Sequence, residues 1–216
     1  MIYPIMYKIK GKRVVVIGGG QVAFRKVKDL VHSGATVVVV APDILSELEE
    51  YALANPSITI VKREYQKGDC AGAALVFSAT NNPQVNRKVY DEALALNIPI
   101  NAVDDPDNSS FYVPSFFTRG MLLVAVSTQG ASPAMAAKVR RLIEQSIPQD
   151  IEITLNALNE ARTILKESYH NITSSQRSEI LKAIVTDERL LEQAVKAFEN
   201  NTLHEFLKSL LSINNA

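Results

Sequence analysis

Gly18, Gly20 and Ala23 stand in a G-x-G-x-x-A spacing within VVVIGGGQVAFRK, the stretch from Val14 to Lys26. The residues before it are β-branched and apolar, and those after it suit a helix, so the glycines fall where a strand meets a helix. Each position has a mechanical task. The first glycine permits the tight turn. The second removes a Cβ and lets a pyrophosphate approach the backbone. The third position needs only a small residue, which Ala23 supplies. The helix that opens at Gln21 and Val22 then offers unpaired N–H groups and the positive end of its dipole to phosphates. This is dinucleotide-binding chemistry, set against the plainer reading of an ordinary strand-to-helix turn. The fingerprint also expects an acidic residue about 20 residues on, to take a ribose 2′-hydroxyl. The chain has Val40-Ala41-Pro42-Asp43 there. Pro42 and Asp43 come a residue or two late, and two roles for Asp43 stand open: a ribose ligand, or the N-cap of the helix that follows. No arginine or lysine sits beside it to meet a 2′-phosphate, which favours NAD over NADP.

Other polar residues follow apolar runs. Thr80 and Asn81 end the run Ala74–Ala79, at a strand tip of the kind that overlies a cofactor; Asn82-Pro83 also reads as an N-cap followed by proline at the first helical position. Asn101 lies in the run Ile100–Val103, and Asp104 follows it, at the strand end where doubly wound sheets hold ligands. The alternative for Asp104 is the turn chemistry of DDPD, and for Asn101 a hydrogen-bonded strand asparagine. Ser127-Thr128-Gln129-Gly130-Ala131-Ser132-Pro133 leads into a helix with Ser132 as N-cap and Pro133 at its first position, a second place for an anion. Residues 111–149 carry Arg119, Lys138, Arg140 and Arg141 against Glu144 alone. His32, His170 and His204 are dispersed, and with one cysteine the sequence shows no metal-ligand cluster, so no metal site is expected.

These residues need elements to hold them. Strand-like runs at Arg13–Ile17, Thr36–Val40, Ile58–Lys62, Ala74–Ala79 and Ile100–Val103 alternate with helical patterns at Val22–Ser33, Ile44–Ala54 and Pro83–Leu96. VVVI, VVVV and ALVF lack polar alternation, as in parallel strands covered on both faces. The fold class is therefore α/β, a Rossmann-type doubly wound parallel sheet. After the polar loop DDPDNSS come β-like runs Phe111–Phe116 and Leu122–Ser127 and a helix from Pro133 to about Ser146. Beyond Pro148 the chain reads as three or four helices, with capping-box patterns at Thr173/Gln176 and Thr202/Glu205. The expected organisation is a dinucleotide-binding domain at 1–110, a small α+β segment at 111–147 and a helical region at 148–216.

The chain has 216 residues, 47% hydrophobic and 21% charged, enough for a sizeable core, and its formal net charge is zero. There is no global basic field to draw in nucleic acid or an anionic membrane. Cys70 alone excludes an internal disulfide framework and fits a reducing compartment. MIYPIMYKIKGKR does not read as a signal peptide, and no apolar run approaches the roughly 18 residues of a membrane span. The expected location is the cytoplasm.

GGGQVAFRK, VVAPD, SATNNPQVN at 78–86, NAVDDPDNSSFYVPS at 101–115 and VAVSTQGASPAMAAKVRRLIE at 124–144 together resemble the precorrin-2 dehydrogenases, the NAD-binding part of siroheme synthases. The resemblance runs from about Tyr3 to Pro148. It implies NAD-dependent oxidation of precorrin-2 to sirohydrochlorin, with iron insertion in some members, and an elongated homodimer joined through the segment after Val103. It matches Asp104 to the family's essential aspartate, a general base or a positioning and metal-contacting group. It places Asn101 near the nicotinamide or the substrate. The substrate's eight carboxylates would suit Arg119, Ser127, Thr128 and Ser132; the family often has serine where this chain has Thr128. Two other readings remain: a dehydrogenase for a different small substrate, and an NAD-sensing module without catalysis.

Overall fold

Runs of valine with no polar alternation are stable only between two apolar layers, and this is where the chain puts them. In the computed structural model, which describes residues 2–103 and 105–213, β1 (Arg13–Ile17), β2 (Thr36–Val40), β3 (Ile58–Val61), β4 (Leu75–Ser78) and β5 (Ile100–Ala102) form one parallel sheet in the order β3-β2-β1-β4-β5. Val14 and Val16 face one apolar layer, built with Ala23, Val27 and Leu30 of α1 (Gln21–His32). Val15 and Ile17 face the other, with Val89 and Ala93 of α3 (Pro83–Ala95). The strand order turns back between β1 and β4, so a crevice opens beyond their C-terminal ends.

Asn82 caps α3, its side chain accepting from the N–H groups of Gln84 and Val85, with Pro83 in the first turn. α2 (Ser46–Leu53) starts later than the Ile44 expected, and Leu45 occupies its N-cap. Asp43 therefore does not cap it, which removes one of the two roles left open for that residue. β5 is an edge strand, and serines cover its free side. Ser110 Oγ accepts from Ile100 N at 2.8 Å, Ser110 N donates to Ile100 O at 2.8 Å, and Ser109 Oγ accepts from Ala102 N at 2.9 Å. Hydroxyls here stand in for a neighbouring strand.

The β3-to-β4 crossover has no helix and is pinned by side chains instead. Arg63 grips Asp69 with two bonds of 2.8 and 2.7 Å, and this pairing holds the Asp69 carboxyl below its usual range. Buried Glu92 of α3 accepts from Tyr65 Oη and from Gly68 N. Burial, with Glu92 nearby, pushes the Cys70 thiol up to about 12.

The chain divides into two compact units, Met1–Val113 and Pro114–Ala216. The second holds the antiparallel pair β6 (Ser115–Arg119) and β7 (Leu122–Val126), then α4 (Pro133–Ser146). β6 begins four residues later than the expected Phe111. Pro114 has no N–H for a ladder, and Phe111 and Val113 pack on the core of the first unit instead. The remainder is α5 (Ile151–Glu167), α6 (Ser174–Thr186), α7 (Glu188–Glu199) and α8 (Leu203–Ile213), closed around Leu165, Ile184, Leu203 and Leu207. The Thr173/Gln176 capping box forms in full, whereas the Thr202 hydroxyl donates back to Ala197 O.

Buried Cys70 and half-buried Tyr65 both hold their protons more tightly folded than unfolded. The free energy of unfolding should therefore be steady below the unfolded thiol value, about 9, and fall as pH rises from there toward 12. Denaturant titrations at pH 8 and pH 10.5 check this. Iodoacetamide at pH 8 should label Cys70 only after unfolding.

Candidate active site

The crevice is built on the glycine turn. Gly18 has φ of +123°, and a Cβ there would meet Ala79 O at 2.3 Å. A Cβ on Gly19 would meet Asp43 O at 2.2 Å. The turn is stitched on both sides: Gly18 N donates to Val40 O and Leu45 N to Gly19 O, each at 2.9 Å. Backbone contact alone thus accounts for the first two glycines.

Gly20 is different. Its φ of −87° suits any residue, and a Cβ there would have nothing within 4 Å. Nothing in the described fold requires a glycine at this position. It is the N-cap of α1, with no side-chain cap and no acidic residue in the first turn. An open space in front of helix N–H groups that no described residue claims, kept free of a side chain, fits a dinucleotide pyrophosphate. Gln21 and Val22 open the helix, exposed and half-buried, and Pro42 and Asp43 lie exposed in the loop after β2.

Thr80 and Asn81 lie beyond β4, on the other side of the turn. Thr80 Oγ1 donates to Asn86 Oδ1 at 2.6 Å, Asn86 Nδ2 returns a bond to Thr80 O, and Ser78 Oγ also donates to Asn86. Asn86 therefore fixes the strand tip. It belongs to the SATNNPQVN block, yet only the folded geometry reveals this task. Asn81 is exposed. Asn101 is half-buried, and its Nδ2 donates to Phe111 O at 3.0 Å, so its amide holds the segment leaving the edge strand. Asp104 lies outside the described residues.

Arg119, Ser127, Thr128 and Ser132 belong to the second unit. Arg119 directs its guanidinium at the carbonyls of Glu144, Ile147 and Pro148, closing the C-terminal end of α4. Thr128 and Ser132 are half-buried and bond reciprocally: Ser132 N donates to Thr128 Oγ1, and that hydroxyl donates to Ser132 O. Ser132 Oγ caps α4 by accepting from Met135 N, as its sequence position suggested. Ser127 Oγ accepts from Gln129 N. Gln129 and Gly130 have φ of 53° and 90°, and Ala131 N donates to Thr128 O, the pattern of a type I′ turn. These hydroxyls thus hold the loop. Arg119, Arg140 and Arg141 also line a cleft of about 530 Å³ with Glu144, Gln145, Ile147 and Gln149.

Comparison with known proteins gives a consistent picture. Residues 5–115 match a family model described as NAD(P)-binding, and residues 119–146 match one for the central part of a sirohaem biosynthesis protein. The siroheme synthase of Ectopseudomonas mendocina is 43% identical over 67% of this chain and 31% of its own. Siroheme synthase 2 of Aeromonas salmonicida is 33% identical over 93% of this chain and 38% of its own. The chain therefore spans about a third of the length of these relatives. Among solved structures, SirC, a precorrin-2 dehydrogenase, aligns over 98% of this chain and 100% of its own, with a TM-score of 0.75 and 26% identity.

The two glycine positions should respond differently to substitution. Gly20→Val should shift the melting temperature by no more than about 4 °C and weaken dinucleotide binding at least about tenfold. Gly18→Val should destabilise the fold by about 2 kcal/mol or more, through positive φ and the Ala79 clash. Calorimetric melts and NAD titrations on both variants separate the two effects.

Proposed function

Because the chain belongs to the NAD(P)-binding family matched by residues 5–115, we propose that it is an NAD-dependent dehydrogenase that oxidises precorrin-2 to sirohydrochlorin in siroheme biosynthesis. The observation that carries the reading is the crevice at the β1/β4 turn-back point, with the space before Gly20 left open. The alignment with a precorrin-2 dehydrogenase supports the choice of substrate.

In this reaction the substrate gives up a hydride and a proton. Bound at the glycine turn, NAD supplies the hydride acceptor. The chain's own work is placement. The helix N–H groups beyond Gly20 hold the pyrophosphate, and Asp43, freed from helix capping, is available to the ribose. Thr80 and Asn81 border the crevice on the side of β4, their loop held by Asn86. Asp104, two residues past β5 in sequence, is the proposed group that takes the proton or holds a pyrrole N–H. Asn101 positions the adjoining segment through Phe111. Ser127, Thr128, Ser132 and Arg119 are proposed for the substrate's carboxylates.

A homodimer joined through the second unit is part of the same reading. A two-stranded pair is marginal on its own. Met121, Leu123 and Met135 on or beside β6, β7 and α4 are about half exposed (54%, 45% and 49%), an apolar surface suited to a second copy. The buried free thiol of Cys70 fits a cytoplasmic location. No described helix is long and apolar enough to cross a membrane.

Precorrin-2 with NAD⁺ should give the sirohydrochlorin absorption spectrum and NADH in equal amounts. Binding of NAD without turnover would replace this reading with a sensing module. Asp104→Ala should leave NAD affinity within about twofold and lower kcat by about a hundredfold or more. Sirohydrochlorin and ferrous iron supplied together test for iron insertion above the spontaneous rate. Leu123→Glu should lower the sedimentation mass toward that of one chain.

A further inference from the structure

Lys26 is the unexplained residue of the glycine-turn helix. Ala23, Val27 and Leu30 form the buried stripe of α1. With about 100° per residue, Lys26 lies on one flank of this stripe and Phe24 on the other. The Phe24 flank packs on Tyr51 of α2, ring centroids 5.7 Å apart. The Lys26 flank faces β4: its Nζ lies 6.0 Å from the centre of the Phe77 ring. Phe77 meets Phe111 edge-on at 5.4 Å. Phe77 is also in register with Asn101 of β5, so both side chains share the sheet face that α1 covers. Asn101 in turn holds Phe111 O. Lys26, Phe77, Phe111 and Asn101 are thus neighbours near the C-terminal ends of β4 and β5.

The ammonium group is half-buried, and among the described residues it has no carboxylate within 4.0 Å and no hydrogen-bond acceptor. Asp29, one turn along, acts on it favourably, while Arg25 opposes it. Burial is the larger influence and lowers the lysine's affinity for its proton. A ring face at 6.0 Å is at the outer limit of a cation–π contact and offsets little of this. A half-desolvated cation with no anion among the described residues is poorly compensated there and gains when an anion arrives.

We propose that Lys26 is a substrate-binding residue whose ammonium takes a carboxylate of the acidic macrocycle beside β4 and β5. The inference rests on the reading that the chain binds such a macrocycle. It assigns Lys26 to the substrate and not to the dinucleotide, because the residue flanks β4, with its Nζ toward the Phe77 ring and not toward the glycine turn.

The test uses Lys26→Met, which keeps the apolar stem, with Lys26→Gln as a second variant and Lys26→Arg as the conservative one. Sirohydrochlorin is titrated into each and into the wild type, and precorrin-2 turnover is followed in parallel. The expected result is a rise of about tenfold or more in sirohydrochlorin Kd and precorrin-2 KM for Met and Gln. NAD Kd should stay within about twofold and kcat within about threefold, with partial recovery in Lys26→Arg. The melting temperature of free Lys26→Met should equal or exceed that of the wild type. If the wild type turns over precorrin-2 and Lys26→Met has the same KM, the Lys26 assignment alone is overturned. Weakened NAD binding, or a lower melting temperature with unchanged macrocycle affinity, overturns it too. A wild type that binds no sirohydrochlorin overturns both the assignment and the function it rests on.

Discussion

The first unit depends on how closely a bare backbone turn approaches the ends of two strands. Gly18 and Gly19 sit so near Ala79 O and Asp43 O that neither position has room for a Cβ. That closeness draws the start of α1 down onto the ends of β2 and β4, beside the β1/β4 point where the strand order turns back. The helix dipole and its free N–H groups then point into the crevice by geometry alone. Other candidates in the unit are placed relative to this turn. Asp43 lies in the loop that Gly19 touches, Thr80 follows the carbonyl that Gly18 touches, and Lys26 rides on the helix the turn begins.

The three glycines look alike in the sequence and do different work. Two are required by packing, and one is required by nothing in the described fold. A residue the fold does not need, at the mouth of a crevice, is more informative about function than one the fold cannot do without. Lys26 follows the same logic with charge in place of space, since its ammonium is half-desolvated with no partner among the described residues. In contrast, Arg119, Thr128 and Ser132 have clear structural tasks, in helix closure and loop bracing. Their chemistry suits an acidic ligand, and part of their hydrogen-bonding capacity is already engaged.

The two units are stabilised differently. The sheet unit buries continuous valine runs and satisfies its edge with the hydroxyls of Ser109 and Ser110. The second unit combines a short strand pair with a bundle closed by small and branched residues such as Ala161 and Leu165. Its strand pair leaves apolar side chains uncovered, which is why the functional reading includes a second copy.

Local pattern alone determined β1 and β2 and the start of α4 to the residue, because strand and helix periodicity and the Ser132-Pro133 start signal act within a few residues. It also determined the α/β class and the glycine turn, since both follow from short-range order. The start of β6 was misread because Phe111 answers to a distant core, and apolar character does not say which core a residue joins. The start of α2 was misplaced because Leu45 is held by Gly19, a contact across 26 positions of sequence. Only the tertiary structure showed that Gly20 fronts open space, that Asn86 braces the β4 tip and that Lys26 stands half-buried. Spacing along a chain records which chemistry is present. Whether a group has a neighbour, and which one, is settled only when distant segments pack.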